Sequence, residues 1–265
     1  MADIVQVRME EMLPELADME EQGVFSASEI KKIAHSRKLF EYECTSHTAG
    51  VMQFKKYIKH ELAVESLRRK RQARINPKRR SLSTFSVVRR IHSLYTRALT
   101  KFHVDKDLWL EYVAFCADSG SVAALSKVLM RALRYHPREG VFWAASIKRQ
   151  AAIGNIESAR KLALKALGTA VHNARQVWEA LVEVELKVAV KIAENFATVS
   201  LVIERAWSAL QEDRIQFALE VLTRTDGVNA AESIRENLIE KLKEAKGELF
   251  VEEIFSKDDG FIEDF

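Results

Sequence analysis

Eight of the thirteen residues in RRKRQARINPKRR, residues 68–80, are basic. Arg68, Arg69, Lys70, Arg71, Arg74, Lys78, Arg79 and Arg80 supply donors at a density suited to neutralising phosphates. That chemistry is driven by ion release, depends on salt and carries little sequence preference. No aromatic side chain interleaves the run, so base stacking is not indicated and backbone phosphates are the targets. The same residues support two other readings. RRKR, then six residues, then KRR has the two-cluster spacing of a nuclear-import signal, and a charge run is also what a solvated helix end looks like.

No second constellation points to chemistry. The chain has no phosphate-binding glycine loop, no GxSxG and no HExxH, and its seven histidines, at 35, 47, 60, 92, 103, 136 and 172, include no pair at i, i+4. His60 and Glu61 are adjacent and point in different directions, so Glu61 is expected to pair within the helix packing. Cys44 and Cys116 are far apart with no CxxC, which indicates neither a disulfide framework nor a zinc site and suits two packed thiols. The expectation is a noncatalytic protein with no metal, no cofactor and no small-molecule substrate.

Net charge conceals an asymmetry. The formal total is +3, yet between Glu65 and Asp105 there are twelve Lys or Arg and no acid, leaving 29 basic against 38 acidic residues elsewhere. From Glu232 onward there are eleven acids and five bases. A basic segment on an acidic body points to a polyanionic or acidic partner at one place and basic surfaces elsewhere. The N-terminus, MADIVQVRMEEMLPEL, has acids where a signal peptide has a basic start, and no stretch has the apolar length that spans a bilayer. The expectation is an intracellular protein with no membrane partner.

The elements that position these residues are helical. Nine Gly and three Pro in 265 residues leave little material for hairpins and loops. RAL at 97–99, RAL at 131–133 and KAL at 165–167 recur every 34 residues, and Trp109, Trp143 and Trp178 follow at intervals of 34 and 35. Two markers in phase indicate stacked helical hairpins. Helix A of each unit carries the Trp and helix B the triplet, with Pro137 ending one B helix and Gly154 and Gly168 punctuating later ones. Trp109, Trp143 and Trp178, with the small Ala98, Ala132, Ala166 and Ala206 at equivalent points of four B helices, read as repeat core. Exposed groove positions are expected at Glu111, Lys148, Arg149, Glu179, Glu183 and Glu185, where a partner peptide would lie.

Upstream are three amphipathic stretches. The first has Val5, Met9, Met12, Leu13, Leu16 and Met19 on one stripe interrupted by Pro14. Ser26 and Glu29 form a capping box opening the second, with Ile30, Ile33, Leu39 and Phe40 as its apolar positions. The third has Phe54, Tyr57, Ile58, Glu61 and Leu62 and runs into the basic segment. The acidic end, FVEEIFSKDDGFIEDF, reads as a mobile solvated tail or as a short motif presenting Phe255, Phe261 and Phe265.

The order LPEL, GVFSASEIKKI, FEYEC, the F-x-x-Y-I-x-x-E-L helix ending in RRKRQARI, then RRIHSLYTRAL and LWLEYVAFC closely resembles the U3 small nucleolar RNA-associated protein 6 family, of the half-a-TPR (HAT) repeat class. Arg90, Leu94 and Arg97 to Leu99 partly reproduce that class's helix B. The resemblance implies an all-α fold, an α-solenoid of HAT/TPR-like helical hairpin repeats behind an N-terminal helical region. The segments are 1–67, N-terminal helices; 68–86, basic helix end and linker; 87–245, repeats; and 246–265, tail. It also implies a noncatalytic scaffold of the small-subunit processome in the nucleus and nucleolus, supporting 18S ribosomal RNA maturation. The implied partners are WD-repeat propeller subunits, U3 snoRNA and the pre-rRNA 5′ spacer. Family members are usually longer, which implies a fragment or a shortened relative. The residues alone leave open a HAT/TPR-type peptide-binding adaptor in another nuclear RNA-processing complex.

Overall fold

The computed structural model describes residues 2–75, 83–169, 171–192, 196–211, 213–225 and 231–246. Lys78, Arg79 and Arg80, and the segment 247–265, lie outside the described residues. Among the described residues there are twelve α-helices and no strand. The fold is all-α, built of helical hairpins in repeat, and no described helix is long and apolar enough to cross a membrane. The chain divides into two compact units, Met1–Val122 and Ala123–Phe265.

In the first unit, α1 (Ala2–Glu21) packs on α2 (Ala27–Thr45), α2 on α3 (Val51–Ile75), α3 on α4 (Ser83–Lys101), and α4 returns to α1, so four helices close on themselves. Helix α5 (Lys106–Asp118) docks on α4, where the Tyr95 and Tyr112 rings stack with centroids 4.7 Å apart. Helix α1 runs unbroken through Pro14, whose ring lies on the exposed side. Val5, Met12, Leu16 and Met19 are buried as the stripe predicts, but Leu13 faces solvent, because it falls about a quarter-turn of the helical wheel from the centre of the face that those four share. The Ser26 capping box is present: Ser26 Oγ accepts from the Glu29 amide and the Glu29 carboxylate accepts from the Ser26 amide at 2.9 Å. This closes two donors that α2 would otherwise leave unpaired.

The second unit contains α6 (Val122–Tyr135), α7 (Gly140–Ile153), α8 (Ile156–Leu167), α9 (Ala174–Ile192), α10 (Ala197–Ala209), α11 (Arg214–Thr225) and α12 (Glu232–Lys246). Helix α7 packs on α8 and α9, α9 on α10 and α11, and α11 on α12. Trp143, Trp178, Ala166 and Ala206 share one core with Ile147, Ala159, Val199 and Phe217; Ala132, Ala98 and Trp109 are fully buried in their own surroundings. Two of the repeat tryptophans make the same local bond. Trp109 Nε1 donates to the His103 carbonyl at 2.9 Å and Trp143 Nε1 to the Pro137 carbonyl at 2.8 Å, in each case six residues back. The indole thus fastens helix A to the turn before it while burying its ring.

Glycine does two different jobs here. Gly154 caps α7 at φ +90, a conformation that side chains with a Cβ rarely adopt. Gly140 opens α7 where its amide donates to the His172 carbonyl, and a Cβ there would meet the carbonyl oxygens of Asn173 and His172 at 2.6 and 2.7 Å. Gly168 also ends a helix, α8, but with ordinary right-handed angles.

Candidate interaction surfaces

Charged side chains occupy the core of the first unit. On α2 the inward face reads Ile30, Ile33, Arg37, Glu41, Cys44; helical spacing continues through two charges where the apolar reading placed Leu39 and Phe40. Leu39 is exposed and Phe40 half-buried. Arg37 is fully buried and meets the fully buried Glu61 of α3 with both ends of its fork, Nε to Oε1 at 2.8 Å and Nη2 to Oε2 at 2.7 Å. Burial opposes both charges. The pairing outweighs it, holding Arg37 above its ordinary value and drawing Glu61 down to about 2. Tyr57, on the turn before Glu61, is driven upward by burial and then by the Glu61 and Glu41 carboxylates, so its hydroxyl stays neutral.

Glu41 joins three helices. Only 2% exposed, it accepts from Arg8 Nη1 of α1 at 2.9 Å and from Arg97 Nη1 of α4 at 3.0 Å. Arg90 of α4 reaches Glu15 of α1 at 2.9 Å, and the amide of Ser83, at the start of α4, donates to Asp18 at 2.7 Å. The two Glu41 contacts join α2 to α1 and to α4, and the other two join α4 to α1. None of Arg8, Arg37, Glu41, Arg90 or Arg97 stands out in the sequence as part of a site, because charge reads as surface; the available signal was phase, since Arg37 and Glu41 continue the spacing from Ile33 to Cys44.

The basic segment divides into committed and available cations. Helix α3 continues through Ile75, so residues 68–75 are helical. Arg68 is buried and donates through Nε and Nη2 to Glu65, both at 2.8 Å, and through Nη1 to Gln72. Arg69 shares Glu65 at 2.7 Å. Arg71 grips Glu29 with both Nη groups at 2.8 Å, donates to the Val24 carbonyl and lies over the Phe25 ring at 5.0 Å. Its bond to Glu29, with the Ser26 amide next, holds that carboxyl near 2. Lys70 and Arg74 are exposed and make no hydrogen bond or ion pair among the described residues.

In the second unit the predicted groove is a ladder of ion pairs. Glu183 of α9 takes Lys187 at 2.6 Å, Lys148 of α7 at 2.8 Å and Arg224 of α11 at 3.2 Å. Burial works against its charge, but Lys148 and Lys187 bring it down to about 2, whereas burial dominates at Glu179 and pushes it up. Two expected groove residues sit elsewhere. Glu185 is 4% exposed and holds Arg160 of α8 in a two-pronged bond, since position 185 turns to the α8 side of α9; Glu111, in the first unit, pairs with Lys55. Cys44 and Cys116 are buried, which pushes both thiols up to about 11. Among the described residues no group of three or more His, Cys, Asp or Glu is placed to hold a metal.

Residues 9–90 match the family profile of U3 small nucleolar RNA-associated protein 6. Over those residues the chain is similar to that family. The chain is 31% identical over 194 residues to U3 small nucleolar RNA-associated protein 6 of Schizosaccharomyces pombe, an alignment covering 72% of the chain and 40% of that relative. It is 34% identical over 170 residues to the mouse homolog and 35% identical over 170 residues to the human one, in each case 63% of the chain and 28% of the relative. The chain therefore spans well under half the length of these relatives. The U3-associated family segment begins within α1 and ends at Arg90 in α4. It contains both partners of Arg37–Glu61, of Glu15–Arg90 and of Glu29–Arg71, together with the whole of the basic run.

Proposed function

We propose that the chain is a noncatalytic scaffold of a U3 snoRNA-containing assembly that processes pre-ribosomal RNA. The reading extends to the small-subunit processome, to 18S ribosomal RNA maturation, and to the nucleus and nucleolus as the place of action. The observation that carries it is the family match over residues 9–90, in which the Arg37–Glu61, Glu15–Arg90 and Glu29–Arg71 pairs lie. The repeats behind that segment, read as of the HAT class, offer the extended surfaces that scaffolds use, and WD-repeat propeller subunits are the proposed protein partners. Contact with RNA, either U3 snoRNA or the pre-rRNA 5′ spacer, falls on Lys70 and Arg74 and continues into Lys78, Arg79 and Arg80. Arg68, Arg69 and Arg71 hold internal carboxylates, and their charge is spent there. The two-cluster spacing keeps nuclear import as a compatible use of the same run. A peptide-binding adaptor in another nuclear RNA-processing complex is the second reading, favoured by the α7–α9–α11 ladder.

Immunoprecipitation of the tagged chain, followed by quantification of U3 against an unrelated small nucleolar RNA, separates the two. Enrichment of U3 with accumulation of uncleaved pre-rRNA on depletion is expected. Recovery of U3 at background, with pre-rRNA unchanged, would leave the adaptor reading.

A further inference from the structure

A cleft of about 340 Å³ lies among α1, α2 and α4 of the first unit, and four guanidiniums line it, those of Arg8, Arg89, Arg90 and Arg97. Three carboxylates, Glu11, Glu15 and Glu41, line it with them. Two of the three are already used: Glu41 by Arg8 and Arg97, each through a single nitrogen, and Glu15 by Arg90 through Nη2 alone. A guanidinium has five N–H donors, so these pairings leave most of them unspent. The Nε of Arg90 is buried without a partner, and Arg89 is exposed with no hydrogen bond or ion pair among the described residues. Arg8 and Arg97 also border a second hollow of about 290 Å³, whose walls include Ile4, Cys44 and Phe54. An arginine gate thus separates a donor-rich hollow from a largely apolar one.

We propose that this double cleft binds an acidic peptide segment of a protein partner, with a carboxylate taken by Arg89 and the spare donors of Arg90 and Arg97 and a neighbouring aliphatic or aromatic side chain entering beside Ile4 and Phe54. Charge complementarity selects the occupant. Four cations against three carboxylates leave one net positive charge, enough for a carboxylate held by forked hydrogen bonds. A nucleic-acid strand carries a charge on every nucleotide and would run past Glu11 and Glu15 as well, where it is repelled. The apolar second hollow suits a side chain better than a phosphate. The site is independent of the Lys70–Arg80 run and of which assembly the chain serves.

The test is fluorescence anisotropy of the full chain with three labelled probes: a twelve-residue peptide alternating Asp and Glu with Leu and Phe, the same peptide with Asn and Gln for the acids, and a twelve-nucleotide single-stranded RNA. Saturable binding of the acidic peptide is expected, weakened at least tenfold by Arg89→Glu and severalfold by Ile4→Asn, with the amide peptide binding at least tenfold more weakly. Both substitutions are at exposed positions, and circular dichroism confirms that folding is kept. Lys70→Gln with Arg74→Gln should leave peptide binding unchanged, which separates this site from the RNA-contact reading. No binding of the acidic peptide, equal binding by Arg89→Glu, or displacement of the peptide by the RNA at this cleft overturns the proposal.

Discussion

Removing Arg37 alone should damage the protein far more than removing Arg37 and Glu61 together. In the variant Arg37→Met, Glu61 stays in a fully buried site without the fork that neutralises it. Breaking a buried pair in this way costs about 3–5 kcal/mol, because a lone charge in a dry interior has neither water nor partner. Glu61→Leu strands Arg37 in the same sense. The double variant Arg37→Met with Glu61→Leu exchanges two desolvated charges for two apolar side chains of similar volume, and the expected cost is near zero or slightly favourable. Urea unfolding followed by circular dichroism reads the difference. At a slope of about 2 kcal/mol per molar urea, each single variant moves the transition of the first unit down by about 2 M, while the double variant stays near the parent. The coupling from the full cycle should be several kcal/mol. The acid limb gives an independent reading. The Glu61 folded value is depressed from 4.5 to about 2, so the stability it contributes is present above about pH 4.5 and is lost as pH falls toward 2. The double variant should lack that part of the acid dependence. Single variants costing under about 1 kcal/mol, or a double variant worse than either single, would refute the claim that the pair is a buried, mutually neutralising unit.

Two further outcomes follow from neighbouring geometry. Arg68→Gln should lower stability by about 1–3 kcal/mol, since Glu65 is nearly buried and loses its two-pronged partner. Lys70→Gln with Arg74→Gln should stay within about 0.5 kcal/mol in the same urea unfolding; equal losses would mean that the run is uniform. Gly140→Ala should cost more than Gly154→Ala. The first forces a Cβ against two carbonyl oxygens and should lose roughly 2–3 kcal/mol, whereas the second meets open space and loses about 1 kcal/mol to its left-handed backbone. The reverse order would show that the turn between α8 and α9 yields.

The repeat was legible because it is carried by types that burial selects. Trp109, Trp143, Ala98 and Ala132 recur in phase, and large rings and small contact residues go inside for reasons independent of context. The helix start at Ser26 was legible for a local reason: a capping box needs only four consecutive residues. What could not be read from a single sequence was the polar core of the first unit. Arg37 needs Glu61, which is 24 residues away, and Glu41 needs Arg8 and Arg97, 33 and 56 residues away. A charge is worth burying only if its partner arrives from another helix, and hydrophobic periodicity holds no term for partners. The arginine-lined cleft was invisible for the same reason, since its donors come from both ends of the unit.

That pairing changes what the basic segment can do. Of the twelve cations between Glu65 and Asp105, Arg68, Arg69, Arg71, Arg90 and Arg97 hold carboxylates, and Lys101 donates to the Ala49 carbonyl at 2.7 Å. The missing acids of that stretch are therefore supplied by α1, α2 and the middle of α3, through Glu15, Glu29, Glu41 and Glu65. A charge count from sequence overstates the cation surface by including side chains whose work is to join helices. The consequence is measurable in salt. If all eight residues of the run met phosphates on a single strand, log binding would fall against log salt with a slope of about −5.6; with only Lys70, Arg74, Lys78, Arg79 and Arg80 engaged, it is about −3.5. Filter binding of the chain to a single-stranded RNA across a salt series distinguishes the two. A slope near the steeper value would require Arg68 and Arg71 to leave Glu65 and Glu29 on binding, and the helices they fasten would loosen with them.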